Sequence, residues 1–105
     1  MPTNEDLYDE ADRLKDAGKL DEAAARLQDL VKQDGNYALA HSALAVIYTK
    51  LKQHDEAIHH GLRACELEPN DPFGFTSLSV TFQRAGKIQE AEDAMARARM
   101  MQQGH

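Results

Sequence analysis

The chain has 105 residues, room for one small domain, and 42% of them are hydrophobic, enough for a core and too many for wholesale disorder. A net charge of −6 argues against a general nucleic-acid binder, which needs a basic face to displace counterions from phosphates. The one cysteine, Cys65, cannot close an internal disulfide, the opening MPTNEDLYDE lacks the apolar run of a signal peptide, and no stretch approaches the roughly 18 apolar residues of a membrane span, so a cytoplasmic protein is expected.

Six helices are expected, and no strand pattern competes with them. The first runs from Asn4 to Ala17 behind Thr3, with Asp6 placed to complete a capping box, and Gly18 stops it. Asp21 is expected to cap the second, which carries Ala24, Leu27, Leu30 and Val31 at helical spacing as far as Lys32. DGN at Asp34–Asn36 reads as a turn. The third helix spans Tyr37 to Leu51, and the fourth, with Asp55 as its expected cap, reaches Leu67. EPNDP breaks the chain. Asp71 then caps a fifth helix with Pro72 in its first turn, where a missing N–H costs nothing. The fifth ends near Ala85–Gly86, and the sixth runs from Ile88 to Gln102. Helices of this length joined by such short loops must fold back as antiparallel pairs.

The chain repeats itself at a step of 34 residues: DEA at Asp21–Ala23 recurs at Asp55–Ala57, and as QEA at Gln89–Ala91. Small residues fill the columns Ala11, Ala45, Ser79 and Ala23, Ala57, Ala91. A bulkier column reads Leu14, Tyr48, Phe82, and another reads Leu30, Ala64, Ala98. Large side chains in the small columns would hold crossing helices apart. With Leu44 and Pro69 in the middle copy, and Phe75, Leu78 and Met95 in the third, the pattern resembles the tetratricopeptide repeat (TPR) over residues 4–103. The resemblance implies an all-α superhelix, a TPR-like solenoid of three helix-turn-helix repeats at about 4–37, 38–71 and 72–105. The chain would be a single domain, 1–105, of the small stand-alone bacterial type. Two positions depart from the family's pattern. Glu10 replaces a leucine on the outermost helix, and Gly61 replaces a bulky ring, leaving space for a neighbour such as Phe75 or for a small pocket.

QHDEAIHHGLRAC, Gln53–Cys65, gathers three of the five histidines with the cysteine. A zinc site needs three or four converging ligands. His54 lies in a turn, and adjacent His59 and His60 diverge by about 100° on a helix. Both are expected to face water, opposite an apolar stripe of Ile58, Leu62 and Cys65, with His60 in reach of Glu56. His41 falls in a large-residue column and is expected to be buried or half-buried. No metal or other cofactor is expected. No glycine-rich phosphate loop or nucleophile elbow occurs, so no catalytic residue is assigned and a non-enzymatic protein is expected.

The family's usual work implies an adaptor or scaffold for a protein or peptide partner, bound in the concave groove lined by the first helix of each pair. The groove columns supply Tyr8 and Asp12; Leu39, Ser42, Val46 and Lys50; and Phe73, Thr76, Val80, Gln83 and Arg84. An apolar floor with a polar rim suits an apolar or amphipathic segment. The family's carboxylate clamp uses Lys, Asn and Arg at the positions that here hold Tyr8, Asp12, Ala43, Phe73 and Ser77, so the acidic C-termini of Hsp70 and Hsp90 are not expected partners. Neither nucleic acid nor membrane is expected. A second reading is self-assembly, such as a homodimer, through Met95, Ala98 and Met101 on the last helix. The charge distribution suits head-to-tail contact: residues 4–37 carry ten acids and five bases, and residues 72–105 carry three and four.

Overall fold

The structure is a computed structural model that describes residues 2–104; Met1 and His105, the ends of the expected domain, lie outside the described residues. Six helices follow one another: α1 Asn4–Asp16, α2 Leu20–Gln33, α3 Ala38–Lys50, α4 His54–Leu67, α5 Pro72–Arg84 and α6 Ile88–Gln103. Each odd-numbered helix packs chiefly on the helix that follows it. α2 then meets α3, α4 meets α5, and α3 touches α5. The result is an all-α superhelix of three stacked hairpins.

The repeat columns explain the stacking. Ala11, Ala45 and Ser79 are buried, as are Ala23, Ala57 and Ala91, so the helices cross where side chains are smallest. Ser79 uses its hydroxyl there, donating to the Ala91 carbonyl at 2.7 Å and tying α5 to α6. The core is unequal along the solenoid. One cluster joins α1, α2 and α3 through Leu7, Leu27, Leu30, Leu44 and Ile47, with Tyr8, Leu14 and Tyr48 packed against it. The second has only Cys65, Leu78 and Ala94 buried, flanked by Phe75 and Phe82.

Two of the four expected caps are present. Thr3 accepts from the Asp6 N–H at 3.1 Å and the Asp6 carboxylate accepts from the Thr3 N–H at 3.2 Å, a capping box. Asp71 accepts from the Phe73 N–H at 3.0 Å, with Pro72 behind it. Asp21 and Asp55 are not caps. Their helices begin earlier, at Leu20 and His54, behind Lys19 and Gln53, and the two acids sit inside the first turn, where they complement the helix dipole.

The reason is the turn between the two helices of each hairpin. Gly18 and Gly86 adopt φ of 81° and 80°, and Lys52 adopts 61° at the equivalent place. In each case the next residue bonds back to the preceding helix at 2.9 Å: Lys19 to Leu14, Gln53 to Tyr48 and Lys87 to Phe82. That closure starts the second helix two residues after the left-handed one. A side chain in this region is disfavoured by about 1–2 kcal/mol, and glycine's greater unfolded-state entropy takes back about 0.4–1 kcal/mol, so Lys52→Gly should raise stability by about 0.5–1 kcal/mol. Urea unfolding of the pair measures it, and an unchanged or lower midpoint would contradict the assignment of strain.

Candidate functional site

On α4 the buried residues are Ala57, His60, Gly61, Ala64 and Cys65. They fall at i, i+3, i+4, i+7 and i+8, one helical face. His60 is therefore inside at 6% exposure, and Leu62, expected within, is 44% exposed. The expectation that His60 faces water fails because it breaks this spacing; His59 is exposed as expected.

Buried His60 belongs to a chain of hydrogen bonds between the first two hairpins. His41 is buried too, and its Nε2 lies 2.9 Å from the Gly35 carbonyl. A carbonyl only accepts, so His41 Nε2 carries a proton and, in the neutral ring, Nδ1 accepts. His60 Nδ1 donates to it at 2.9 Å. His60 Nε2 then accepts from the Gln28 amide at 3.3 Å, and Gln28 also donates to the Tyr48 hydroxyl at 2.9 Å. The His60 ring stacks on His41 and on Tyr48, at centroid distances of 5.2 and 5.8 Å. Burial, then the coulombic cost of a second positive ring beside His41 and beside His59, lower the His60 pKa from 6.5 to about 4. A neutral, fully paired chain of this kind is a structural element. Among the described residues no three His, Cys, Asp or Glu side chains converge as metal ligands would. Burial first, and the Asp71 carboxylate second, push the Cys65 thiol up, away from nucleophile behaviour.

Gly61 faces the next hairpin. A Cβ there would stand 3.1 Å from Leu78 Cδ1 and 3.8 Å from the Ala45 methyl. Leu78, rather than Phe75, takes up the space left by the missing side chain.

A concavity lies between α3 and α5, which meet side by side. It encloses about 570 Å³. Val46 and Thr49 line it from α3, and Thr76, Ser77, Val80 and Thr81 from α5. Its far end is closed by Lys50, Lys52, His54 and Arg84. The threonine hydroxyls turn back onto their own helices: Thr49 donates to Ala45, Thr76 to Pro72 and Thr81 to Ser77, at 2.7, 3.1 and 3.2 Å. The wall is thereby more apolar than its composition suggests, and Val46 and Val80 are each 43% exposed on it.

Five of the eleven residues named for the groove line this cavity: Val46, Lys50, Thr76, Val80 and Arg84. Tyr8 and Asp12 line a separate crevice of about 20 Å³ between α1 and α3, where Asp12 pairs with Lys15 at 3.2 Å. Leu39 and Phe73 stand near the opposite helix ends at 58% and 74% exposure, too open to be covering each other. Ser42 and Gln83 are exposed outside the cavity lining. Thr49, Lys52, His54, Ser77 and Thr81 also line the cavity and are not among those eleven. The step of 34 already pairs Ala43 with Ser77 and Ile47 with Thr81, but Lys52 and His54 come from a turn and a helix start that no groove column includes.

On the last helix Ala98 is 1% exposed, packed on α5, so it cannot meet a second copy as expected. Met95 and Met101 are half-buried, and the fully open side chain is Met100, at 71%. Beside them Phe75, Leu78, Phe82 and Ala94 form a shallow apolar hollow, with Arg97 lying 5.2 Å from the Phe75 ring centroid.

The described residues hold no helix long and apolar enough to cross a membrane. The family model for the tetratricopeptide repeat matches residues 8–72. Among solved structures, MamA superposes with a TM-score of 0.90 at 20% identity, over 97% of this chain and 60% of its own. YrrB, described as a TPR protein with an unusual peptide-binding site, gives 0.89 at 20% identity over 100% of this chain and 54% of its own. The second TPR of Spaghetti, solved with an HSP90 peptide, gives 0.86 at 20% identity over 94% and 92%. The chain thus spans less than two thirds of the length of MamA or YrrB. No curated protein sequence matches it.

Proposed function

Because this chain belongs to the tetratricopeptide repeat family, we propose that it is a non-enzymatic adaptor that receives an apolar or amphipathic partner segment in the concavity between α3 and α5. On this reading residues 1–105 form one domain, with repeats at about 4–37, 38–71 and 72–105, and it works in the cytoplasm, where a single buried thiol stays reduced. The observation that carries it is the cavity of about 570 Å³. It is of ligand size, walled by Val46, Val80 and back-bonded threonines, and none of its lining residues belongs to either core cluster. Peptide binding by YrrB and Spaghetti, as their descriptions state it, agrees with this use of the fold.

Panning a random short-peptide library on the immobilised chain tests the reading. Selected peptides should bind wild type and lose at least about tenfold in affinity for Val80→Asp, since a carboxylate in an apolar wall is left desolvated and unpaired. Undiminished binding to that variant, or no selected peptide at all, would sink it. Hsp70 and Hsp90 tails remain outside the expected partners, because Tyr8, Asp12, Ala43, Phe73 and Ser77 supply no cation at the clamp positions.

A second reading, self-assembly through the last hairpin, is favoured by exposed Met100 and the hollow of Phe75, Phe82 and Ala94. Sedimentation at rising concentration decides it: a monomer throughout removes this reading.

A further inference from the structure

The wall of the α3–α5 groove and its end differ in kind. Along the wall the threonine hydroxyls are already bonded to their own helices. At the end stand Lys50, Lys52 and Arg84, with His54 beside them, and no acid lines the cavity. The ion pairs among the described residues are Lys15–Asp12 and Arg26–Asp29, so none of these three cations has a carboxylate partner. This concentration of positive charge occurs in a chain whose net charge is −6. Lys50 and Arg84 occupy the same column one repeat apart, which brings two cations to neighbouring helix ends. Lys52 adds a third from a left-handed position that the other two repeats give to glycine.

We infer that the occupant of this groove is a protein segment carrying an Asp or Glu side chain close to an apolar one, the carboxylate meeting Lys50, Lys52 and Arg84 and the apolar side chain lying on Val46 and Val80. The inference rests on the groove being the docking site, and it adds what the partner must contain. Three uncompensated cations at the rim attract an acidic segment and reject a basic one, so they act on encounter rate and partner choice more than on total affinity. The arrangement is separate from the clamp positions. Phe73 and Ser77 lie toward the start of α5, whereas the cations gather at the ends of α3 and α5 and in the turn after α3. A nucleic acid offers anions too, but its regular phosphates would meet the acidic remainder of the chain on either side of so small a basic end.

The test uses the peptides selected on the intact chain. Acidic residues should be enriched within a few positions of an apolar residue, binding should weaken as salt rises, and the triple variant Lys50→Glu, Lys52→Glu, Arg84→Glu should bind these peptides at least about tenfold more weakly. Panning the triple variant itself should return basic peptides. All three side chains are exposed, so its helicity should match wild type; Lys50 and Arg84 stand in the last turns of α3 and α5, where Glu opposes the helix dipole, so its urea midpoint should fall only slightly, and binding is compared well below both midpoints. Peptides without acidic enrichment, or equal binding to the triple variant, would overturn the inference. If those peptides still lose affinity for Val80→Asp, the groove stays the docking site and only its charge preference is wrong. Binding that ignores both Val80→Asp and the charge reversal removes the groove itself.

Discussion

Lowering the pH from 7 to 5 should reduce the unfolding free energy by about 2 kcal/mol, through His60 alone. In the folded chain its pKa is lowered to about 4 from 6.5. Above pH 6.5 both states hold His60 neutral and nothing is lost. Below it the unfolded chain takes a proton that the folded chain refuses. The loss grows with each unit until about pH 4, where the folded ring titrates as well, and it reaches on the order of 3 kcal/mol at about 1.4 kcal/mol per unit. The geometry says why the ring resists. His41 Nε2 is committed to Gly35 O, His60 Nδ1 to His41, and His60 Nε2 to the Gln28 amide. Any further proton sets two N–H groups face to face inside the protein, with His59 the nearest other titratable ring, 5.0 Å from His60. Urea unfolding between pH 7 and pH 5 measures the loss in a window where ordinary carboxylates remain ionised. His60→Gln should give a flatter profile. A wild-type midpoint that does not move across this window would contradict the neutral chain.

Leu78→Ala should cost about 2–4 kcal/mol, a large share of the stability of a domain this size. Leu78 is 4% exposed in the smaller core cluster and its Cδ1 stands over Gly61, so truncation opens a cavity that neither Gly61 nor Ala45 can fill. The space can be refilled from the other side. In the Leu78→Ala background Gly61→Met should recover roughly half of the loss, since methionine is a good helix former and adapts to irregular gaps. In the wild-type background the same Gly61→Met change should destabilise by about 1–3 kcal/mol by overpacking against Leu78. The sign of one substitution thus depends on the other residue. If the two effects simply add in a double-mutant cycle, Leu78 is not what occupies the space beside Gly61.

The fold was legible because each repeat corroborates the others. The small columns at Ala11, Ala45 and Ser79 and at Ala23, Ala57 and Ala91 lie at the crossings they implied, and the helix ends fall within one or two residues of expectation. Failures came where a local rule was applied without the neighbouring repeat. Asp21 and Asp55 look like caps in isolation, but the left-handed residues at Gly18 and Lys52 set the helix starts ahead of them. His60 looks polar and therefore outward, yet the step of 34 places it in one column with Ala94, which is buried on α6. Its hydrogen bonds to His41 and Gln28 bridge three helices and leave no mark in any short window. Part of the groove was readable, since Val46 with Val80 and Lys50 with Arg84 are plain repeat pairs. Lys52 and His54 were not, because a turn contributes them and turn geometry depends on how the hairpin closes.

The unequal division of the core has a consequence for binding. The opposite face of α3, behind its groove wall, is anchored in the large cluster through Ala40, Leu44 and Ile47, whereas α5 belongs to the hairpin held by the small one. The least protected hairpin is the one that opens first, so part of the time only half of the groove exists. A bound segment then acts as a brace across two regions of different local stability. At a hundred times its Kd it should add about 2.7 kcal/mol against any opening that dismantles the groove. Amide exchange should slow in α5 and α6 on binding far more than in α1 and α2. The coupling runs both ways. A substitution that loosens the last hairpin, such as Leu78→Ala, should weaken binding without touching a groove residue, in proportion to the fraction of molecules in which α5 is no longer docked.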